Sequence, residues 1–280
     1  MRKNRLSRLF IDIFGLIITA ILILPPLVTL AGSFMSKVEL DFYYFGADRV
    51  ESFRFVPDRF TLAQCADAMI FNTDFTRAFL NSIEFTLLST LFSMLISIPA
   101  AYCLAFGKFR FKRVIAVVYL LLMVLPYQSI EIPHYLMLRE TGLLGHDIAV
   151  IITNIFDTFE TVVLTFFFSS IPSETLEAAD IDGAGSLKKV IYIAAPQIRP
   201  GILTVMLLKF INVWNLTEQP LIFLDDPTHY PLSLMLPGLC GSFRFDSFAF
   251  SIVFILPPVL MYFGLSDQID DLSGQYKPMG

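Results

Sequence analysis

Six apolar stretches, each close to the length of a membrane-crossing helix, constrain the fold of this chain more than any other feature. A helix that rises about 1.5 Å per residue needs about 20 residues to cross a hydrocarbon core of about 30 Å. We therefore predict an all-α membrane protein with six transmembrane helices, which form a single transmembrane domain over residues 1–280. The predicted spans lie at about 10–33, 79–106, 113–130, 148–169, 199–220 and 248–265.

The composition agrees with residence in a membrane and argues against other classes of protein. Hydrophobic residues make up 55% of the chain and charged residues only 16%, whereas soluble domains contain about 25% charged residues. The net charge of −5 argues against a nucleic-acid partner. The three cysteines, Cys65, Cys103 and Cys240, show no metal-ligand spacing, so we predict no metal site.

The distribution of Lys and Arg predicts the orientation of the chain. Cytoplasmic segments of membrane proteins carry an excess of these residues. With the N-terminus inside, the inner segments hold twelve of them and the outer segments hold seven. We therefore expect cytoplasmic termini, a first apolar helix that is retained rather than cleaved, and an outer loop over 34–78 with a short helix from Leu62 to Ile70. The segment 170–198, which we call the inner loop, should face the cytoplasm.

The inner loop is polar and acidic within an otherwise apolar chain. Ser173 suits a helix cap, and Glu174 and Glu177 lie in the first turns, where the helix dipole favours acids. Asp182 and Gly183 should end this helix, because glycine readily adopts the left-handed conformation past a helix end.

A second helix is predicted to begin at Gly185-Ser186 and to break at Pro196. Its apolar residues fall at helical spacing and should share one face: Leu187, Val190, Ile191 and Ala194. The product is a helix, a glycine turn and a helix along the cytoplasmic surface. Its small and acidic side chains suit docking to a basic partner, but the residues alone leave a plain amphipathic surface loop equally open.

The spacing in the inner loop resembles the signature loop of ABC importer permeases, which reads Glu-Ala-Ala, three residues, Gly, nine residues and Ile-x-Leu-Pro. Here Glu177-Ala178-Ala179 is followed by three residues and Gly183, and nine more lead to Ile193-Ala194-Ala195-Pro196. Ala195 is the one departure. Stretches such as "LPYQSIEIPHYLMLRETGLLG" and "FINVWNLTEQPLIFL" extend the resemblance to the shorter, six-span subunit of maltose-type carbohydrate-uptake permeases.

The resemblance implies the ABC type I importer permease fold, a bacterial cell-membrane location and a cytoplasmic coupling helix in the inner loop. The implied partners are a homologous second permease subunit, an ATPase dimer and an extracellular or periplasmic solute-binding protein that delivers a sugar. ATP and Mg would bind the ATPase, while this chain would bind no cofactor and carry no catalytic residue. The residues that the resemblance assigns to ATPase coupling are Glu174, Glu177, Ala178, Ala179, Asp182, Gly183, Ala184 and Pro196.

Three charged residues, Asp157, Glu160 and Lys209, fall near the middle of the predicted spans. A charge in the middle of a membrane costs about 2.5–3.5 kcal/mol on insertion scales, so these side chains should face the helix bundle, with Lys209 paired to one acid. Two hypotheses stay open, a polar translocation path and a structural ion pair. Trp214 suggests either a sugar-stacking surface or an interfacial anchor. The other candidates for the path, on the fifth span, are Asn212, Asn215 and Glu218.

Two alternative functions also stay open. An importer of another solute, such as a polyamine, would keep the inner-loop motif and differ in its cavity lining. An ion-coupled or proton-coupled carrier would use Asp157, Glu160 and Lys209, and it would need neither the motif nor an ATPase.

Overall fold

The computed structural model describes residues 2–45, 56–242 and 245–275, and within them the side chains of 12–44, 56–242 and 245–269. Arg49, Arg54, Arg244 and Lys277, which contribute to the predicted orientation, lie outside the described residues. The described residues form two compact units, one within Met1–Arg77 and Met235–Leu256 and the other within Ala78–Leu234 and Pro257–Gly280.

The described residues are almost wholly helical, and no strand occurs among them. Three π-helical turns, Asp41–Phe45, Asp67–Phe71 and Lys189–Ala194, and a 3-10 turn at Pro227–His229 accompany the α-helices. The α-helices are α1 (Arg2–Ser33), α2 (Lys37–Leu40), α3 (Ala63–Ala66), α4 (Thr73–Phe106), α5 (Lys112–Val124), α6 (Gln128–Glu140), α7 (Asp147–Ile155), α8 (Thr158–Ser169), α9 (Ser173–Ile181), α10 (Ser186–Lys188), α11 (Ala195–Gln197), α12 (Arg199–Trp214), α13 (Glu218–Phe223), α14 (Leu232–Ser242) and α15 (Ser247–Gln275).

Four helical stretches of the described chain are long and apolar enough to cross a membrane. They are Asp12–Ser33, Thr73–Phe106, Asp147–Ser169 and Ser247–Ile269. Two further crossings arise if each bent pair counts as one span. The first pair is α5 with α6, bent by 103°, and the second is the Ser186–Gln197 segment with α12, bent by 86°. Each of these regions overlaps one of the six predicted spans.

Two helices end earlier than the apolar pattern predicts. α5 ends before residue 130, because Pro126 disfavours a helical conformation at Leu125, whose ψ is 131°. α12 ends at Trp214 rather than near residue 220. There, the Asn215 side chain donates a hydrogen bond to the Ile211 carbonyl at 2.8 Å, and such local bonds compete with continuation of the helix.

The fourth predicted span is broken rather than continuous. α7 ends at Ile155 and α8 begins at Thr158, with Phe156 and Asp157 in extended conformations between them. The Asp157 carboxylate accepts the backbone N–H of Phe159 at 2.9 Å and therefore caps α8. An acid thus sits inside the span at a helix N-terminus, where the dipole favours its negative charge.

The described part of the outer loop is organised around a short polar framework. Ser36 and Glu39 form a capping box at the start of α2, and the Glu39 carboxylate also accepts the backbone N–H of Asp58 at 2.7 Å. The helix predicted over 62–70 forms as α3 followed by the π-helical turn Asp67–Phe71.

Candidate functional site

The first half of the inner loop forms the predicted helix and turn. α9 is followed by Gly183, whose φ of +75° lies in the left-handed region that favours glycine. The backbone N–H of Ala184 donates to the Ala179 carbonyl at 3.0 Å and closes the turn. One detail differs from the prediction: Ser173 does not cap α9. The extended Pro172 takes the N-cap position, so Ser173 becomes the first helical residue.

The second half of the inner loop consists of α10, the π-helical turn Lys189–Ala194 and α11. A π-helical turn is wider than an α-helical one and changes the angular spacing of its side chains. Val190 and Ala194 are buried, whereas Leu187 and Ile191 are 69% and 50% exposed. The prediction that these four residues share one face is therefore wrong.

An ion pair joins the two halves of the inner loop. Lys189 Nζ lies 2.5 Å from Asp180 Oδ1. The hydrogen bond to Asp180 raises the pKa of Lys189 and so favours its charged form. The pair therefore links α9 to the π-helical turn across the bend at Gly183.

Buried apolar side chains tie the inner loop to three longer helices. Leu176 and Val190 of the loop pack in one cluster with Tyr102 of α4, Phe168 of α8 and Val205 of α12. The rings of Tyr102 and Phe168 meet edge to face, with their centroids 5.7 Å apart. The inner loop and these three helices therefore share one packed core, and close-packed interiors transmit strain.

Most residues that the sequence assigns to ATPase coupling lie on the surface. Ala184 is half-buried and Ala179 is buried. The exposed ones are Glu174, Glu177, Ala178, Asp182, Gly183 and Pro196. Sequence reasoning missed two exposed apolar neighbours, Ile181 and Tyr192, although an apolar residue beside an acidic turn is a usable signal for a contact surface.

A groove of about 590 Å³ lies between the inner loop and the end of α4. Its apolar lining includes Tyr102, Phe106 and Leu176, and charged side chains such as Lys108 and Glu177 also border it. The lining therefore combines apolar side chains with charges of both signs.

Asp157, Glu160 and Lys209 converge, and Lys209 pairs with both acids. Its Nζ lies 3.0 Å from Asp157 Oδ2 and 3.2 Å from Glu160 Oε1. Lys209 and Glu160 are only 4% and 1% exposed. Ser93 and Ser97 of α4 donate hydrogen bonds to Glu160 Oε2. The charge cluster therefore joins α4, α8 and α12, and no three His, Cys, Asp or Glu side chains in the described part of the chain converge to hold a metal ion.

A row of buried hydroxyl groups along α4 escaped the sequence analysis. Ser82, Thr86, Ser89, Ser93 and Ser97 recur three or four residues apart, which places them on one helix face, and each is at most 1% exposed. The spacing was visible in the sequence but lay within an apolar run. The row gives the buried face of α4 a polar strip that reaches the charge cluster at Ser93.

The candidates on the fifth predicted span occupy different environments. Trp214 is 1% exposed and stacks on Phe210 with ring centroids 5.9 Å apart, so its ring takes part in helix packing. Asn212 and Asn215 are exposed. Glu218 begins α13 and accepts a hydrogen bond from Gln128. The structure therefore does not gather these four residues into one site.

A family model described as "Binding-protein-dependent transport system inner membrane component" matches residues 93–271 of the chain. The match includes the whole inner loop and all three members of the charge cluster.

Two curated relatives and one solved structure extend this result. The polygalacturonan/rhamnogalacturonan transport system permease protein YtcP of Bacillus subtilis is 28% identical over 235 residues, which are 84% of this chain and 78% of that protein. The diacetylchitobiose uptake system permease protein NgcG of Streptomyces coelicolor is 28% identical over 251 residues, 87% of this chain and 80% of that protein. A chain from the crystal structure of a bacterial ABC transporter involved in import of the acidic polysaccharide alginate superposes with a TM-score of 0.77 at 19% identity, covering 96% of this chain and 98% of that one. The structural match confirms the predicted fold.

Proposed function

The chain belongs to the family of binding-protein-dependent transport system inner membrane components, and we propose that it is the membrane-spanning permease subunit of an ATP-binding-cassette importer for a sugar or oligosaccharide. The curated relatives named above are permease proteins of carbohydrate systems. The observation that carries the proposal is the inner loop. Its motif is presented at the surface by the Gly183 turn, while its apolar side chains are anchored among three longer helices.

The alternative functions fit less well. The names of the two relatives refer to carbohydrates and not to polyamines. An ion-coupled carrier would not need the inner-loop motif, and Lys209 already engages both acids that such a carrier would use.

The chain is a multi-pass membrane protein, and we place it in the bacterial cell membrane with both termini in the cytoplasm. The excess of Lys and Arg in the inner segments, twelve against seven, supports this orientation. It puts the inner loop on the side where ATP is available.

In this proposal the exposed acids of the inner loop dock on an ATPase dimer, which binds ATP and Mg and performs the hydrolysis. This chain hydrolyses nothing. When the ATPase closes, Leu176 and Val190 pass the displacement to α4, α8 and α12. The bundle then switches between inward-facing and outward-facing states, whose equilibrium ATP biases. An external solute-binding protein delivers the sugar, and a homologous second permease completes the pathway.

A tagged chain purified in mild detergent should bring a second permease and an ATPase with it in stoichiometric amounts. Mass spectrometry of the eluted complex checks this expectation. A chain that elutes alone and still carries raffinose into liposomes without ATP would contradict the proposal.

Exchanging the charges of the inner-loop ion pair should restore the activity that breaking it removes. Lys189→Gln leaves Asp180 unpaired, and we expect ATP-driven uptake by the reconstituted complex to fall by up to about fivefold, because Asp180 is exposed and such a partly exposed pair contributes about 0–1 kcal/mol. The double exchange, Lys189→Asp with Asp180→Lys, should recover most of the loss. Lys188→Gln, at the exposed neighbouring lysine, is the control. Equal uptake by the Lys189→Gln and Lys188→Gln complexes would count against a role for the ion pair.

A further inference from the structure

A second group of polar side chains meets where α6, α7 and α13 approach one another. Gln128 Nε2 donates to Glu218 Oε2 at 3.2 Å, and the side-chain amide of Asn154 donates to Gln219 Oε1. Gln219 is only 2% exposed. We call this group the α6–α13 cluster, and it consists of Gln128, Glu131, His134, Asn154, Glu218 and Gln219.

Two atoms of the α6–α13 cluster are buried without a hydrogen-bond partner among the described residues, namely Glu131 Oε1 and His134 Nδ1. Glu131 and His134 are three residues apart on α6 and therefore share a face. Tyr127 lies beside Glu131, with its ring centroid 6.2 Å from that of His134. Burying a polar atom without a partner costs free energy, so native structures rarely leave one unexplained.

The chemistry of the α6–α13 cluster matches hydroxyl groups. Carboxylates accept hydrogen bonds from hydroxyls, and side-chain amides both donate and accept them. A neutral imidazole donates at one ring nitrogen and accepts at the other. The cluster contains no Lys or Arg, and the carboxylates of Glu131 and Glu218 repel each other. A ligand with a carboxylate of its own would add a third negative charge to this pair and be disfavoured.

We propose that the α6–α13 cluster binds the hydroxyl groups of an uncharged saccharide and disfavours saccharides that carry uronate carboxylates. This inference rests on the proposed function and narrows its substrate class. Opening of the pathway lets saccharide hydroxyls reach Glu131 Oε1 and His134 Nδ1, which supplies the missing partners and favours the loaded state. Among the relatives, the charge of the cluster suits the chemistry of diacetylchitobiose rather than that of polygalacturonan.

Equilibrium retention of radiolabelled saccharides by the purified permease–ATPase complex tests this proposal. The complex is held with a non-hydrolysable ATP analogue and used without the binding protein, so that retention reports on the membrane subunits. The probes are raffinose, diacetylchitobiose and trigalacturonate. We expect the wild-type complex to retain at least one neutral probe and to bind trigalacturonate more weakly.

Substitutions in the α6–α13 cluster test whether this chain is responsible for the saccharide retention of the complex. Glu131→Gln should weaken binding of the retained neutral saccharide several-fold, because the amide oxygen still accepts a hydrogen bond but lacks the charge that strengthens a bond to a carboxylate. His134→Phe, which keeps a ring in place, should weaken it several-fold. Glu140→Gln, at an exposed acid on the same helix, should change nothing. Combining Glu131→Gln with Glu218→Gln should shift the preference towards trigalacturonate.

The outcomes separate this inference from the proposed function. Stronger binding of trigalacturonate by the wild type, or equal binding by Glu131→Gln and Glu140→Gln, would overturn the inference alone. ATP-driven uptake of a neutral probe without its retention would do the same. Retention of none of the three saccharides would also overturn the inference, whereas a chain that purifies without a second permease and an ATPase would overturn the proposed function.

Discussion

Replacing Gly183 with valine should remove most ATP-driven uptake while leaving the chain inserted in the membrane and the ATPase active. Gly183 has a φ of +75°, and a Cβ placed on it would meet no atom within 4 Å. The cost is therefore purely conformational. The left-handed region costs an L-residue about 1–2 kcal/mol, which lowers the population of the presented turn about five- to thirtyfold. Uptake per ATP hydrolysed, measured on the reconstituted complex, reports this uncoupling.

Gly185 offers a matched control two residues further along the inner loop. A Cβ at Gly185 also meets nothing within 4 Å, but its φ of −65° suits any residue. Gly185→Val should therefore retain most of the uptake. If the Gly183→Val and Gly185→Val complexes show the same uptake per ATP hydrolysed, the Gly183 turn does not present the docking helix.

Replacing Lys209 with methionine should destabilise the chain more than any surface change. It leaves Asp157 and Glu160 without their partner in the interior, and breaking a buried ion pair in this way costs about 3–5 kcal/mol. The midpoint of thermal unfolding, followed by size exclusion of the detergent-solubilised complex, should fall clearly. Arg139→Met is the control, since Arg139 and its partner Glu140 are 56% and 75% exposed and such a pair contributes about 0–1 kcal/mol.

A triple variant distinguishes the two hypotheses for the charge cluster. Lys209→Met combined with Asp157→Asn and Glu160→Gln removes every charge, and asparagine keeps the cap on α8. We expect stability to return. Recovery of uptake along with stability would identify a structural ion pair. Stability without uptake would place these charges on the translocation path, and stability that stays low would contradict the pairing seen in the structure.

The sequence was sufficient to predict the features that depend on local chemistry. Apolar length predicted the six helical regions, because every spanning backbone group must bond within its own helix. Gly183 predicted the turn after α9, since few other residues adopt its φ. The convergence of Lys209 with Asp157 and Glu160 followed from the cost of leaving a charge alone in lipid.

The features that the sequence did not predict depend on partners far away in the chain. Gln128 and Glu218 are 90 residues apart, so no local sequence pattern predicts the α6–α13 cluster. In the π-helical turn, Val190 packs against distant residues such as Tyr102, whereas its neighbour Ile191 is exposed. In the sequence, the hydroxyl residues of α4 lie within an ordinary apolar helix. Only the structure shows that Ser93 and Ser97 donate hydrogen bonds to Glu160.

The break at Phe156 and Asp157 divides the fourth span into two halves that make separate contacts. On one side, Phe168 of α8 shares the packing of the inner loop, and on the other, Asn154 of α7 bonds to Gln219. The two halves are joined by two extended residues rather than by a continuous helix. In the proposed alternating-access cycle, this joint would let α8 follow the inner loop while α7 keeps its contact with α13.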